Sequence, residues 1–167
     1  MAPPVWAVYC DGSAVPNPGR MGLGAVLIAP DGVTRHTVSQ ATTATGCNNE
    51  AELRALLLAL AALRGHGACT LQIHSDSSVL VEQLGARPGP PIARLAPLFD
   101  EARRLLEGFG PVDLRWIPRH RNGEADALAR AFDATERVLV VGEVLCGMPW
   151  GAFQSVTPAY ASEVAPV

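Results

Sequence analysis

The sequence predicts an α/β fold in which a mixed β-sheet is flanked by helices. Three strand-like apolar runs come first, and the short turn sequences between them indicate antiparallel hairpins. Helix-like and strand-like runs then alternate along the chain, which adds helix-covered strands to the same sheet. With 167 residues and a 49% hydrophobic composition, the chain can bury one core, so we expect one main domain.

The first three strands are predicted at Val5–Cys10, Gly22–Ala29 and Val33–Gln40. Between the first two strands, Pro16-Asn17-Pro18-Gly19 forces a turn. The tight link Pro30-Asp31-Gly32 joins the second strand to the third, as expected for a hairpin.

The later elements follow from the change to helical periodicity. Helices are predicted at Asn49–Arg64, Ser77–Leu84, Ile92–Glu107 and Gly123–Ala134, and strands at Cys69–Ser75 and Pro111–Ile117. One face of the first helix carries five leucines, namely Leu53, Leu56, Leu57, Leu60 and Leu63. Asn122 directly precedes the last helix and is placed to cap it.

The C-terminal part of the chain carries weaker patterns. We predict one domain over residues 1–134 and a C-terminal extension of unknown role over 135–167. Within the extension, Val138–Val141 and Val144-Leu145 fit a strand or a docking segment, and the last dozen residues fit a flexible end.

The composition excludes several classes of protein. A net charge of −3 and a pI near 5.8 argue against a protein that coats nucleic acid through bulk charge. All 13 basic residues are arginine, the side chain best shaped to fork onto phosphate. The scattered Cys10, Cys47, Cys69 and Cys146 fit reduced thiols better than a zinc site or a disulfide framework. Since no apolar stretch approaches membrane-spanning length, we expect a cytoplasmic protein without membrane contact.

Four acidic segments are the main functional signal. They are Tyr9–Ser13, Asn48–Leu53, His74–Ser77 and Asn122–Ala129, and each carries an acid at a strand end or in the first turns of a helix. All four asparagines of the chain lie in or near these segments, which indicates selected side-chain chemistry. Acids that converge without a balancing base repel one another and are typical of divalent cation sites.

The geometry of the predicted sheet brings some of these acids together. Asp11 and Asp76 close the first and fourth strands, and they share one crevice if those strands are parallel neighbours. Asp126, in the first turn of the last helix, would add a third acid. Glu50 and Glu52 lie on opposite shoulders of the leucine face, so helical periodicity leaves both open.

In combination, the segments resemble type 1 ribonuclease H. The motifs are Asp-Gly-Ser with Asn-Pro-Gly a few residues on, Asn-Asn-x-Ala-Glu-Leu, Ser-Asp-Ser and Asn-x-x-Ala-Asp-x-Leu-Ala, and together they cover about residues 5 to 132. The resemblance implies a ribonuclease H-like catalytic domain with a five-stranded sheet in the order 3-2-1-4-5. It also implies that Glu52, three positions after Asn-Asn, is the second acid and that Glu50 is at a variable position.

The function implied by the resemblance is hydrolysis of the RNA strand of RNA–DNA hybrids to 3′-hydroxyl and 5′-phosphate ends. Two ions, Mg²⁺ with Mn²⁺ as a possible substitute, would be held by catalytic acids. The implied catalytic and metal-binding acids are Asp11, Glu52, Asp76 and Asp126. The implied substrate-binding residues are Gly12, Ser13, Asn17, Asn48, Asn49, Arg119 and Arg121, with 2′-hydroxyls read from the minor groove. A monomer is expected.

Two departures from the family pattern change the expectations for binding and proton transfer. Where many members carry a lysine-rich protrusion, Leu84–Ile92 offers only Arg87, so we expect weak hybrid binding with a steep salt dependence that rests on few contacts. The resemblance makes His120 a candidate for catalytic assistance, because many members carry a histidine on a flexible loop before the last aspartate. The loop is short here and places His120 closer to Asp126 than is usual, which resembles members that use an arginine or manage without a histidine, so Arg119 is an alternative.

Three other functions are open at this level. A nuclease of the same fold that acts on DNA or duplex RNA would share the clustered acids, and a substrate panel would reveal it. A non-catalytic nucleic-acid-binding module would be marked by the loss of an acid. A nucleotide phosphohydrolase would use the same metals without needing 2′-hydroxyl readers.

Overall fold

The computed structural model describes residues 2–131 and the backbone of residues 139–141. Its strands are β1 (Val5–Val15), β2 (Gly19–Ile28), β3 (Arg35–Gly46), β4 (Thr70–Ser75), β5 (Val112–Trp116) and β6 (Leu139–Val141). Its helices are α1 (Asn48–Gly65), α2 (Ser78–Leu84), α3 (Ala96–Glu107) and α4 (Gly123–Arg130). The predicted mixed sheet with flanking helices is confirmed.

The sheet has the order β5-β4-β1-β2-β3-β6. β1, β2 and β3 form two antiparallel hairpins, whereas β4 pairs in parallel with both β1 and β5. The predicted order of the first five strands, 3-2-1-4-5, is therefore confirmed. β6 is an addition, since it pairs antiparallel with the outer edge of β3 and brings part of the C-terminal extension into the sheet. Val144-Leu145 and the predicted flexible end lie outside the described residues.

β1 is longer than predicted, and this changes the position of Asp11. Its parallel pairing with β4 stops at Tyr9, but its antiparallel pairing with β2 continues to Val15. Asp11 therefore does not close the strand as predicted. It lies within the hairpin just beyond the parallel pair, which still places it at the carboxyl end of β4.

The core lies between the sheet and α1. All five leucines predicted on one face of this helix are at most 2% exposed, and they pack with side chains of β1, β2 and β4. α3 adds Phe99 and Ala102 to the same core. The predicted helix from Ile92 is broken, because a 3₁₀ turn at Ala93–Leu95 precedes α3. Pro97, which has no N–H for an interior hydrogen bond, fits only the first turn of a regular helix.

Among the described residues, no helix combines the length and the apolar character needed to span a membrane.

Candidate active site

Three acidic side chains meet beyond the carboxyl end of the parallel β1–β4 pair. Asp11 comes from β1, Glu52 from the second turn of α1, and Asp76 directly follows β4. One carboxylate oxygen of each residue lies within 4.8 Å of those of the other two. Asp11 is only 4% exposed, whereas Glu52 and Asp76 are half-buried, so the cluster is partly shielded from water. The structure thus joins three of the four acids predicted from the sequence.

Glu52, and not Glu50, belongs to this cluster. Its carboxylate accepts a hydrogen bond from the backbone N–H of Gly12. The carboxylate of Glu50 instead accepts a hydrogen bond of 2.9 Å from Nε of Arg54, and Arg94 lies 3.9 Å from its other oxygen. The choice that helical periodicity left open is resolved by these contacts in favour of the residue implied by the resemblance.

Glycine at position 12 allows α1 to come this close to β1. A Cβ atom at this position would lie 2.1 Å from the backbone carbon of Ala51 and 2.3 Å from the nitrogen of Glu52. No real Cβ contact is this short, so any side chain would push the start of α1 away from the strand. Gly12 therefore has a structural role at the site besides the substrate contact predicted for it.

The protonation of the cluster reflects its burial and its like charges. Burial raises the pKa of Asp11, and the charge of Asp76 raises it further. Burial also raises the pKa of Glu52, with the charge of Asp11 as the next cause. The buried Cys10 thiol next to them has a raised pKa for the same reasons. These carboxyl groups therefore resist ionisation unless positive charge is brought to them.

The donor set fits divalent cations of the oxygen-binding kind. Oε2 of Glu52 is buried and has no hydrogen-bond partner among the described residues, which is costly for a polar atom. The cluster offers carboxylate oxygens from three separate elements, the ligand type that Mg²⁺ and Mn²⁺ prefer. A bound cation would satisfy the unpartnered oxygen and relieve the repulsion between the acids.

Asp126, the fourth predicted acid, adjoins the cluster but has a different environment. It lies in the first turn of α4, as predicted, and hydrogen bonds with the Asp11 side chain. Its Oδ1 also accepts hydrogen bonds of 3.0 Å from Nε of Arg130 and 3.3 Å from a terminal nitrogen of Arg119. Burial acts to raise the pKa of Asp126, but the hydrogen bonds from Asp11, Arg130 and Arg119 outweigh it and lower the pKa. This carboxyl is thus already ionised by its neighbours.

Asn122 is the residue whose role sequence reasoning missed. It stands at the N-cap position of α4, but its side chain makes no cap hydrogen bond, so the predicted capping role is wrong. Its Nδ2 instead donates to the backbone oxygen of Cys10 at 2.9 Å and to Oδ1 of Asp76 at 2.8 Å. The sequence signals for this role were the concentration of the few asparagines near the acidic segments and the position of Asn122 at the start of the motif Asn-x-x-Ala-Asp-x-Leu-Ala.

The residues predicted to contact substrate lie around this cluster. Oδ1 of Asn48 accepts from the backbone nitrogen of Ala14 at 2.8 Å, and Oδ1 of Asn17 accepts from that of Asn48 at 3.1 Å. These contacts bring the turn after β1 to the start of α1. Asn49 is exposed there, and Ser13, which precedes Ala14 in β1, is half-buried. Arg119 and Arg121 are exposed on a 3₁₀ turn before α4.

Two histidines near the acidic segments have different surroundings. His120 is exposed on the same 3₁₀ turn, from which Arg119 reaches Asp126. His74 is buried in β4, stacks on Tyr9 with ring centroids 4.5 Å apart and lies 3.3 Å from the carbonyl oxygen of Val8 through Nδ1. His74 is therefore a packing residue of the sheet.

Comparison with known protein families gives a match over most of the described chain. Residues 9–132 match the family model described as reverse transcriptase-like. The matched range begins two residues before Asp11 and ends two residues after Arg130, so it contains all four acids.

Two curated relatives match the same region. The bifunctional protein Rv2228c of Mycobacterium tuberculosis is 34% identical over 128 residues, which are 76% of this chain but 35% of that protein. The chain thus spans about a third of the length of this relative. A protein named ribonuclease H from Anaplasma marginale is 33% identical over 150 residues, which cover 81% of this chain and 93% of that protein.

Solved structures agree in fold. The N-terminal ribonuclease H domain of Rv2228c superposes with a TM-score of 0.71 at 33% identity and covers 76% of this chain and 97% of that one. LC11-RNase H1, solved in complex with an RNA/DNA hybrid, has a TM-score of 0.69 at 27% identity and covers 75% of this chain and 94% of that one.

Proposed function

The chain belongs to the type 1 ribonuclease H family, and on that premise we propose that it is an endonuclease acting on RNA–DNA hybrids. It hydrolyses the RNA strand and leaves 3′-hydroxyl and 5′-phosphate ends. The likeness to LC11-RNase H1, whose structure contains an RNA/DNA hybrid, supports this choice of substrate.

The observation that carries the proposal is the buried carboxylate cluster with its unpartnered oxygen. Asp11, Glu52 and Asp76 are held within 4.8 Å of one another, although burial and mutual repulsion oppose their ionisation. A fold does not keep such an arrangement for stability, because each buried like charge costs free energy. A site that binds cations and acts on phosphodiesters accounts for it.

The chain's residues fit two divalent ions, Mg²⁺ with Mn²⁺ as a substitute. Asp11, Glu52 and Asp76 would hold them, and Asp126 would complete the set from the side of α4. When bound, such ions activate a water molecule and stabilise the leaving 3′-oxygen. Arg119 and Arg130 keep Asp126 ionised and oriented towards Asp11 for this purpose.

Recognition of the substrate falls to residues around the cluster, in β1 and the turn after it, at the start of α1 and on the turn before α4. The backbone of Gly12 and the side chains of Asn48 and Asn49 are proposed to read 2′-hydroxyls, the groups that distinguish RNA from DNA. Asn17 supports Asn48 through its hydrogen bond and lies near the hybrid backbone together with Ser13. Exposed Arg119 and Arg121 are proposed to hold phosphates.

His120 is proposed to assist proton transfer or product release near Asp126. It lies on the same exposed turn as Arg119, between that residue and the start of α4. A monomeric state and a location in the cytoplasm stay predictions.

The test is cleavage of a labelled RNA–DNA hybrid with and without Mg²⁺, for the wild type beside Asp76→Asn. Asp76→Asn removes one charge of the cluster and keeps the shape of the side chain. Duplex DNA, duplex RNA and an RNA–DNA junction are assayed in parallel, and the product ends are identified by phosphatase and ligase treatment. Asp100→Asn, on the exposed side of α3, is the matched control.

We expect Mg²⁺-dependent cleavage of the hybrid by the wild type and by Asp100→Asn, and a loss of at least about 100-fold in Asp76→Asn. Equal activity of the wild type and Asp76→Asn would contradict the proposal, as would inactivity of the wild type. Preference for duplex DNA would identify a different nuclease of the same fold.

A further inference from the structure

Asn122 has the environment of a residue selected for its side-chain contacts. It is 1% exposed, and its Oδ1 is buried with no hydrogen-bond partner among the described residues. A buried unpartnered amide oxygen costs free energy that a small apolar residue would avoid. Because the side chain also makes no cap hydrogen bond to α4, helix capping does not explain its presence.

The amide nitrogen of Asn122 joins the carboxylate of Asp76, which follows β4, to the backbone of β1 beside Asp11. An NH₂ group has two protons, and both are used here. One is donated to the carbonyl oxygen of Cys10, the residue before Asp11, at 2.9 Å, and the other to Oδ1 of Asp76 at 2.8 Å. The orientation of the amide is fixed by these partners, because turning it over would place its oxygen against two acceptors.

The backbone of Asn122 is hydrogen bonded to the backbone of Asp126, the fourth acid. The carbonyl oxygen of Asn122 accepts from the backbone nitrogen of Asp126 at 3.0 Å, and its N–H donates to the carbonyl of Arg119 at 2.9 Å. Asn122 therefore contacts the backbone next to Asp11, the carboxylate of Asp76 and the turn that carries Asp126.

We propose that Asn122 is a positioning residue of the cation site, which fixes Asp76 relative to Asp11 before any ion binds. The inference rests on the proposed function, since it concerns the same acids. Like-charged carboxylates on separate elements move apart unless a donor between them holds them. Partners that orient metal ligands in this way contribute about 10-fold to 100-fold to metal affinity.

The test is Mn²⁺ binding by the full chain, measured by isothermal titration calorimetry without nucleic acid, for Asn122→Ala and Asn122→Ser. Serine is as good an N-cap residue as asparagine, so α4 keeps its start, but the short hydroxyl cannot bridge Cys10 and Asp76. We expect both variants to bind Mn²⁺ at least about 10-fold more weakly than the wild type. Their melting temperatures, measured in EDTA, report any loss of fold separately.

Ser39→Ala is the matched control, since Ser39 is also buried and also ties a strand to α4. Its Oγ donates to the carbonyl oxygen of Leu128 at 2.6 Å, on the part of α4 away from the acids. We expect this variant to melt at a lower temperature and to bind Mn²⁺ like the wild type.

Wild-type affinity in both Asn122 variants would overturn the proposal, and so would an equal loss of affinity in Ser39→Ala. If both Asn122 variants fail to fold, the side chain is required for the fold itself and the proposal is also overturned. Failure of the wild type to bind Mn²⁺ would instead contradict the proposed function.

Discussion

Glu52→Gln should make the protein more stable when divalent ions are removed, and increasingly so as the pH rises. Glutamine keeps the shape of Glu52 and an oxygen that can accept the Gly12 N–H, but it cannot ionise. The wild type must either ionise Glu52 and Asp11 side by side in a buried site or keep them protonated at a pH at which an exposed carboxyl group is ionised. The variant removes Glu52 as an ionisable group, and with it the free-energy cost of keeping this buried carboxyl protonated as the pH rises.

The magnitude follows from Glu52 itself, whose pKa is raised from 4.5 to about 10 by burial and by the charge of Asp11. From the unfolded pKa to about pH 8.5 there are about 4 pH units, which correspond to about 5–6 kcal/mol at ~1.4 kcal/mol for each unit, and relaxation of the folded protein reduces this to about 2–4 kcal/mol. A carboxyl whose pKa is raised by folding favours the folded state fully only below its unfolded pKa. The contribution is lost as the pH rises from the unfolded value towards the folded value, which for Glu52 means from about pH 4.5 to about pH 10.

The assay is thermal unfolding followed by circular dichroism, in EDTA, at several pH values between about 4.5 and 8.5. At the acid end, the wild type and Glu52→Gln should melt within about 2 °C of each other. At the alkaline end, the variant should melt about 5–10 °C higher, since 1 kcal/mol corresponds to about 2–4 °C in a chain of this length. Adding Mg²⁺ should raise the melting temperature of the wild type more than that of the variant.

Glu50→Gln is the control, because it makes the same chemical change two residues away on the same helix, where Arg54 and Arg94 pair with the carboxylate. It should not become more stable than the wild type with rising pH. A difference between Glu52→Gln and the wild type that does not grow with pH would refute the reasoning. So would a Glu52→Gln variant that is less stable than the wild type at every pH.

Four further predictions follow. In a steady-state assay, Glu50→Gln should cleave the hybrid at close to the wild-type rate, whereas Glu52→Gln should lose at least about 100-fold in activity. Similar losses of activity in both variants would contradict the choice of Glu52 over Glu50 as the catalytic acid. Gly12→Ala should lower the free energy of unfolding by about 2 kcal/mol or more in urea titration, because its Cβ would lie 2.1 Å from the backbone of Ala51; wild-type stability would refute this contact. His120→Ala should lower kcat by about 10-fold or more if the imidazole moves a proton, and unchanged turnover would exclude that assistance. Hybrid affinity in gel shifts should fall by about 10-fold or more between 50 and 200 mM salt. Arg121→Ala should reduce the slope of log affinity against log salt concentration by about 1, and nanomolar binding at low salt would contradict the expected weak binding.

The fold was predictable from the sequence because its signals are local. Apolar runs, turn residues and the leucine face of α1 each depend on a few neighbouring residues. The errors occurred where the partner of a segment decides its length. β1 extends to Val15 because β2 pairs with it, whereas the strand expected within Val138–Val141 does form, as β6, and only its pairing with β3 was not predicted. The residues of a single strand do not indicate which other strand will pair with it.

The site was predictable in its acids but not in the contacts that hold them. Asp76 and Asp126 could be placed from the strand and helix patterns, whereas the choice of Glu52 needed the family resemblance. The role of Asn122 could not be read at all, because its partners Cys10 and Asp76 are 112 and 46 residues away along the chain. Its position before α4 pointed to capping, and only the folded sheet brings the two acceptors within its reach.

Two glycines explain why the acids converge at this point of the sheet. Gly24 is the cross-strand partner of Asp11, so Gly12 and Gly24 point to opposite faces. On one face, a Cβ atom at Gly12 would lie 2.1 Å from the backbone of Ala51 in α1. On the other face, a Cβ atom at Gly24 would lie 2.4 Å from the carbonyl oxygen of Ala125 in α4. Side chains at these positions would push each helix outward and carry Glu52 or Asp126 away from Asp11. The acids therefore meet because the strands lack side chains at two positions, and a substitution at either would disturb the chemistry without touching an acid.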